Sequence, residues 1–600
     1  MSTERREDQE AVRLGACLCG LAAFIVYGVA VAPAPYLLDS AELADAAFTL
    51  GIAHPPGEPL AVLWGKLWTL LPLGTVALRV GLAQAAAAGV AVALVYVLAH
   101  AAAAALDPDR HVPAAARAAI ATAGALLYAF APGSVLSAAR PEVYALQTAL
   151  SLGAVALGLR AARTDDGRPA IAGALLIGLG VANHPLLAGL VGVGAVVAAL
   201  PLLSVPGQRQ RLIGASALAF SIGAVGVLAF LPLRAATMPA LAWGDARSVA
   251  GLWWLLSART FTAKSSLVQQ AARPGDAPFV LMDEVGPWAA ALGVLGAAAL
   301  LRRRSSRRVG VTTAVAATGS LAAALVAGLD PANPDIRGYL GAAVAVLAVW
   351  AASGALELLR ALPGRRLILA GSGVAIVAVL AASPRGVRAG SRRHAWAADA
   401  LASHLLSELP SRAALLTGYF QTAFLVGYLR HVEGQRPDIA WAHLGFVRGP
   451  GYAERVFARD PDLGAFLAAF SASSATRPSL TDLARLRPVR VEVDLHLDAD
   501  VLRRLHPSGL TWTFAPDDRP PRPVPDATAR RRLTALEANL SAEVEADREL
   551  RGFLAWRVFL DTDLACRNRL TLHAELGARR LAALVPEDRA ARALIARCTR

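Results

Sequence analysis

Cysteine is scarce: the 600 residues hold four, Cys17 and Cys19 near one end and Cys566 and Cys598 near the other. That count excludes a disulfide-dense scaffold and leaves one bridge, between the tail pair in an oxidising compartment, as the pairing it allows. No cluster of histidine, cysteine and carboxylate stands at metal-ligand spacing, so a dedicated zinc site is not expected. Lysine is scarcer still, at Lys66 and Lys264 alone, and the positive charge is otherwise arginine. With abundant alanine this suggests a GC-rich bacterial genome, which lowers the information carried by any single arginine. A glycine-rich phosphate loop is also missing, since Gly418-Tyr419-Phe420 is too sparse to cradle a nucleotide. No internal repeat is visible, and repeats are what paired-half transporters tend to show. Leu14-Gly15-Ala16-Cys17 has the look of a lipoprotein cleavage site, but it precedes the first hydrophobic stretch instead of following it, so that stretch reads as an uncleaved helix.

What is present is hydrophobicity, 56% of the residues. Apolar runs repeatedly reach the roughly 20 residues that cross a bilayer. They fall at 12–34, 78–105, 115–131, 143–162, 169–183, 185–203, 211–231, 286–301, 309–329, 338–361 and 366–383, about eleven helices. The net charge of +14 follows from basic loops between these helices, and nucleic-acid binding, which needs a basic patch, is not implied. The loops after every second span are basic: Arg5-Arg6, then Arg110 to Arg117, Arg160 to Arg168, Arg209 to Arg211, Arg302 to Arg308 and Arg360 to Arg366. By the positive-inside rule these face the cytoplasm, as does the N-terminus. The opposite loops hold Asp39, Glu42, His54, Arg140, Glu142, His184, Arg234, Trp243, Asp245, Asp335, Arg337 and Tyr339. A full span at 59–73 would invert this order, so that piece reads as a re-entrant or interfacial helix, with Trp64, Lys66 and Trp68 suited to an interface.

Charges become frequent after about residue 384. The expected organisation is a mainly α, polytopic membrane domain over 1–383, an extracytoplasmic α/β domain over 384–525 and a helical segment over 526–600. Residues 413–417, 438–442 and 489–493 read as strands and 422–431 as a helix. The expected location is a bacterial inner membrane, multi-pass, with the C-terminal domain outside.

Asp39 and Glu42 are three residues apart, which puts both carboxylates on one face if the loop starts as a helix. A carboxylate at a membrane surface can act as general base toward a hydroxyl, or Asp39 can simply cap the helix. The wider pattern carries more. Asp39-Ser40-Ala41-Glu42-Leu43, Gly51-Ile52-Ala53-His54-Pro55-Pro56-Gly57 and Leu78-Arg79-Val80 resemble the N-terminal signature of the DUF2723 family, a D-S-G-E-L run, an L-G-I-A-H-P-P-G-Y-P-L block and a W-R-x-N segment. Weaker likeness continues in Arg140-Pro141-Glu142-Val143-Tyr144, Asn183-His184-Pro185, Leu231-Pro232-Leu233-Arg234 and Trp243-Gly244-Asp245. Ala41 stands for the usual glycine, Glu58 for tyrosine and Gly81 for asparagine. That family sits among the membrane-embedded GT-C glycosyltransferases, with protein O-mannosyltransferases as eukaryotic relatives.

The resemblance implies transfer of a sugar, mannose by family likeness, from a polyprenyl-phosphate donor to an acceptor hydroxyl on the outer face, with inversion. Asp39 then becomes the base, and Glu42 orients the acceptor or partners an arginine. His54 protonates the leaving phosphate or bonds the acceptor, unless it only fixes the Pro-Pro-Gly turn. The leaving phosphate calls for arginine, whose fork bonds two oxygens: Arg234 first, then Arg140 and Arg337, each of which could instead snorkel to headgroups. Glu142, Tyr144, His184, Trp243 and Asp245 are candidates for sugar or acceptor contacts. Against these stand a Glu142–Arg140 pair, a helix-end role for His184 and an interfacial anchor role for Trp243. No cofactor is expected, and a metal-independent mechanism suits a monophosphate lipid donor; a divalent ion on Asp39, Glu42 and that phosphate is the alternative. The partners would be the lipid-linked sugar, a protein, glycan or lipid acceptor, and membrane lipids. The competing readings are a transporter or lipid flippase and an inactive scaffold.

Overall fold

The computed structural model describes residues 3–204, 207, 209–258, 274–331, 333–471, 480–493, 497–517 and 540–598. Every apolar run identified above coincides with a helix, and the chain is a multi-pass membrane protein. Among the described residues, eight helices are singly long and apolar enough to span, or up to ten if two bent pairs each count as one span, and Gly167–Val181 is a shorter apolar helix. The bent pairs have local causes. Ala114–Ala129 and Pro132–Ala138 meet at 66°, and Ala277–Val285 and Pro287–Arg302 at 106°. In both, proline opens the second helix because it lacks the N–H and the clash-free ring that a continuing helix needs. The piece that would have inverted the loops is the helix Pro59–Thr69, 11 residues and so about 17 Å long, too short for a hydrocarbon core of about 30 Å.

The chain divides into two compact units: Met1–Pro33 with Ile52–Thr237 and Ala246–Arg393, and Ala34–Gly51 with Met238–Asp245 and His394–Arg600. The first unit is the helical membrane body. Helices there approach closely where side chains are absent: a Cβ on Gly296 would run into the Trp350 carbonyl, and one on Gly354 into the Leu292 carbonyl. Small residues at such crossings let backbones pack without help from a hydrophobic driving force, which lipid does not supply.

The second unit is built on a five-stranded sheet of order β2-β1-β3-β5-β4. The strands are β1 (Ala414–Thr417), β2 (Ala440–His443), β3 (Val489–Val491), β4 (Leu505–Ser508) and β5 (Thr511–Phe514). β1 runs parallel to β2 and β3, with Ala414 level with Ala440 and Val489, while β5 is antiparallel to β3 and β4. The helix Phe420–His431 makes the β1-to-β2 crossover that parallel neighbours require. All four residues of β1 and of β2 are buried, as expected of parallel strands covered on both faces. The expected strands and crossover helix are in place; the β4–β5 hairpin was not expected. The tail carries the helices Arg548–Arg567, Thr571–Leu584 and Arg589–Cys598, and the part of the expected helical segment over 526–539 lies outside the described residues. Cys566 and Cys598 are bonded, their Cα atoms 5.5 Å apart.

Candidate functional site

In the second unit, Asp39 is the N-cap of the helix Ser40–Thr49 but makes no side-chain capping hydrogen bond, so its carboxylate is not committed to that job. Its carbonyl accepts from the Leu43 N–H at 2.8 Å. A carboxylate oxygen of Asp39 and one of Glu42 lie within 4.8 Å of each other, as three-residue spacing on a helix requires. These two oxygens are what a hard cation would use here. The same spacing continues to Asp45, and Glu42 and Asp45 are each 1% exposed. Asp45 Oδ2 lies 2.7 Å from His431 Nδ1, on the crossover helix.

Glu42 and Asp45 line a cavity whose walls include Trp243, Phe424, Trp441 and Arg455. The Trp243 ring packs on Phe446 at 4.5 Å and on Phe424 at 6.4 Å between centroids, as part of an aromatic wall. Arg455 donates to the Gly244 carbonyl at 2.9 Å, which holds the turn that carries Trp243 and Asp245. Tyr452, also on the wall, accepts from the His443 N–H at 2.8 Å; burial pushes its phenol up, so it stays neutral.

His54, Arg140, Glu142, Tyr144, His184, Arg234 and Arg337 belong to the first unit. There the His54-Pro55-Pro56-Gly57 turn is closed by the Gly57 N–H on the His54 carbonyl at 2.7 Å. Gly57 has φ +95°, a conformation open to glycine alone at little strain. His54 Nε2 lies 3.6 Å from Glu58, the residue that departs from the family pattern. Arg140, 1% exposed, reaches Asp335 at 2.7 Å and Glu142 at 3.6 Å. The Tyr144, His184 and Tyr339 rings cluster with centroids 5.0 to 6.0 Å apart. His184 caps the next helix, its Nδ1 accepting from the Leu187 N–H at 3.4 Å, and Asn183 donates to Gln147 at 3.2 Å. Arg337 pairs with Glu284 and, at 2.7 Å, with Asp283; although burial opposes its charge, these carboxylates hold the guanidinium above its usual range. Arg234 is half-buried on the short helix Phe230–Ala235.

Sequence reasoning missed Asp45, His431, Trp441 and the pairing role of Asp335. Asp45 alone was signalled, by the Asp39–Glu42 spacing extended three residues. The others depend on folding partners far along the chain.

Comparison with known proteins adds an outside measure. A family model described as the N-terminal domain of protein O-mannosyl-transferase TMEM260 matches residues 39–203. The mouse (Mus musculus) protein O-mannosyl-transferase TMEM260 is 53% identical over 57 residues, 9% of this chain. The matched stretch spans only 8% of that relative's length. Among solved structures, ArnT from Cupriavidus metallidurans bound to undecaprenyl phosphate superposes with a TM-score of 0.51 at 13% identity, over 84% of this chain and 99% of that one. ArnT in the apo state gives 0.48 at 13% identity over 84% and 98%. The chain therefore has a fold like that of ArnT.

Proposed function

We propose that this protein is a membrane glycosyltransferase that moves a sugar, mannose by likeness to the O-mannosyl-transferase relatives, from a polyprenyl-phosphate donor to an acceptor hydroxyl on the extracytoplasmic side. The observation that carries this reading is that the family match opens at Asp39 itself, on a chain with the ArnT fold. Asp39 takes the acceptor's proton as the hydroxyl oxygen attacks the anomeric carbon from the face opposite the phosphate. The bond from that carbon to the phosphate oxygen breaks, its electron pair leaves with the lipid phosphate, and configuration inverts. The oxocarbenium-like centre gains from a carboxylate nearby, and Glu42 orients the acceptor.

Charge building on the departing oxygen calls for a bidentate cation. Arg234, at the end of its span beside the long loop, is the first candidate for the phosphate, with Arg140 and Arg337, each bound to carboxylates, behind it. His54 assists the leaving group or the acceptor, and Glu142, Tyr144, His184, Trp243 and Asp245 shape what binds around the reacting centre. The basic loops face the cytoplasm and the C-terminal domain lies outside, in a bacterial inner membrane.

The test is transfer by purified wild type and Asp39→Asn from a panel of radiolabelled polyprenyl-phosphate sugars into envelope extracts. Label is expected with wild type and not with the variant, which is nearly isosteric and should insert normally. Arg234→Lys should raise the KM for donor roughly tenfold, because a point charge replaces a fork. Absence of transfer from every donor would overturn the reading in favour of a transporter or scaffold.

A further inference from the structure

Two residues that line the cavity beside Trp243 each carry a buried polar atom without a hydrogen-bond partner, and the two are of opposite kind: the acceptor Asp45 Oδ1 and the donor Trp441 Nε1. Buried polar atoms are nearly always satisfied, so two orphans among the lining residues of one cavity need an explanation. An ammonium would satisfy Asp45 and leave the indole N–H bare; a carbonyl or carboxylate would do the reverse. A hydroxyl does both, donating to the carboxylate and accepting from the indole.

Size narrows the ligand. The cavity measures about 50 Å³, space for roughly three to five waters at about 10–15 Å³ each. A hydroxyl with its carbon and one or two neighbours fits that space. The walls of Trp243, Phe424 and Trp441 suit the C–H face of such a group. Gly427 keeps the space open: a Cβ there would stand 3.4 Å from Asp45 Oδ2 and 3.4 Å from Trp441 Cζ2, ordinary contact that would narrow the cavity without a clash.

We propose that this cavity is a recognition pocket for a compact hydroxyl-bearing group, bonded by Asp45 Oδ1 and Trp441 Nε1 and distinct from the hydroxyl that reacts. His431, 2.7 Å from Asp45 Oδ2, acts as a positioning residue that turns the other oxygen toward the pocket. Naming the acceptor as the source of the group rests on the transferase reading; the pocket and its chemistry do not. A hydroxylated side chain of a polypeptide and a hydroxyl of a glycan offer the same chemistry.

The experiment uses the full-length protein in detergent, labelled with 15N at its indoles, with Trp441→Phe identifying the Trp441 signal. The probes are N-acetyl-threonine methylamide, its near-isostere N-acetyl-valine methylamide, and methyl α-mannoside. The Trp441 indole proton should move downfield with the threonine or the mannoside probe and not with the valine probe. Which of the two acts separates a peptide source from a glycan source. Gly427→Ala, which leaves Asp45, His431 and Trp441 in place, should weaken that response at least tenfold in probe concentration. An equal response to the valine probe, or none to any probe, overturns the proposal. Failure of sugar transfer with a preserved indole response would sink the transferase reading alone.

Discussion

Arg140 shows how little a single residue's charge says without its neighbours. Read by the charge of its loop it is a natural phosphate ligand, yet it lies almost fully buried against Asp335 and Glu142. Removing one member of a buried ionic group leaves the others uncompensated and typically costs about 3–5 kcal/mol. Arg140→Met should therefore lower the thermal unfolding midpoint of the detergent-extracted protein and reduce folded yield, before any effect on donor binding is visible. A normally stable variant with a selectively raised donor KM would return Arg140 to the phosphate. At this scale the sequence was legible where placement follows spacing, as for the approach of Asp39 to Glu42. It was silent on Trp441 because an orphan indole N–H exists only once the fold has enclosed it.

Among elements, the long helices were the easiest to read, because crossing a bilayer demands an apolar run that nothing else in a protein resembles. The β4–β5 hairpin was hidden for the opposite reason: Leu505-His506-Pro507-Ser508 is short, polar and interrupted by proline, which an edge strand tolerates. Helix crossings were equally silent, since glycine and alanine are spread through every span. The pair Pro287–Arg302 and Gly341–Arg360 meets at Gly296 and Gly354, where an added methyl meets a carbonyl. Gly354→Ala should cost about 1–3 kcal/mol through overpacking, seen as a lower unfolding midpoint, while Gly373→Ala, with open space around its Cβ position, should leave the midpoint unchanged or slightly raised. Equal effects would mean that the crossing tolerates separation.

For the whole molecule, the second unit is assembled from three separated stretches of chain, 34–51, 238–245 and 394–600, and its last helices are tied by the Cys566–Cys598 bond across a separation of 32 residues. A loop of that length gives the bond roughly 3–4 kcal/mol of stabilisation in the chain-entropy model. Cys566→Ser should thus bring the unfolding of this unit down by several degrees, followed by near-ultraviolet circular dichroism, and reductant should do the same to wild type but not to the variant. An unchanged midpoint would show the tail to be held by its apolar contacts alone. The assembly from separated stretches also sets a clock. Asp45 and His431 are 386 residues apart in sequence, so at about 5–20 residues per second the ribosome makes the first roughly 20–80 s before the second. For that interval a helix carrying three carboxylates has left the ribosome without its basic partner. Its keeper during synthesis must be water, lipid headgroups or the insertion machinery, and an mRNA truncated between codons 49 and 431 would deliver Asp45 to the membrane with His431 never to follow.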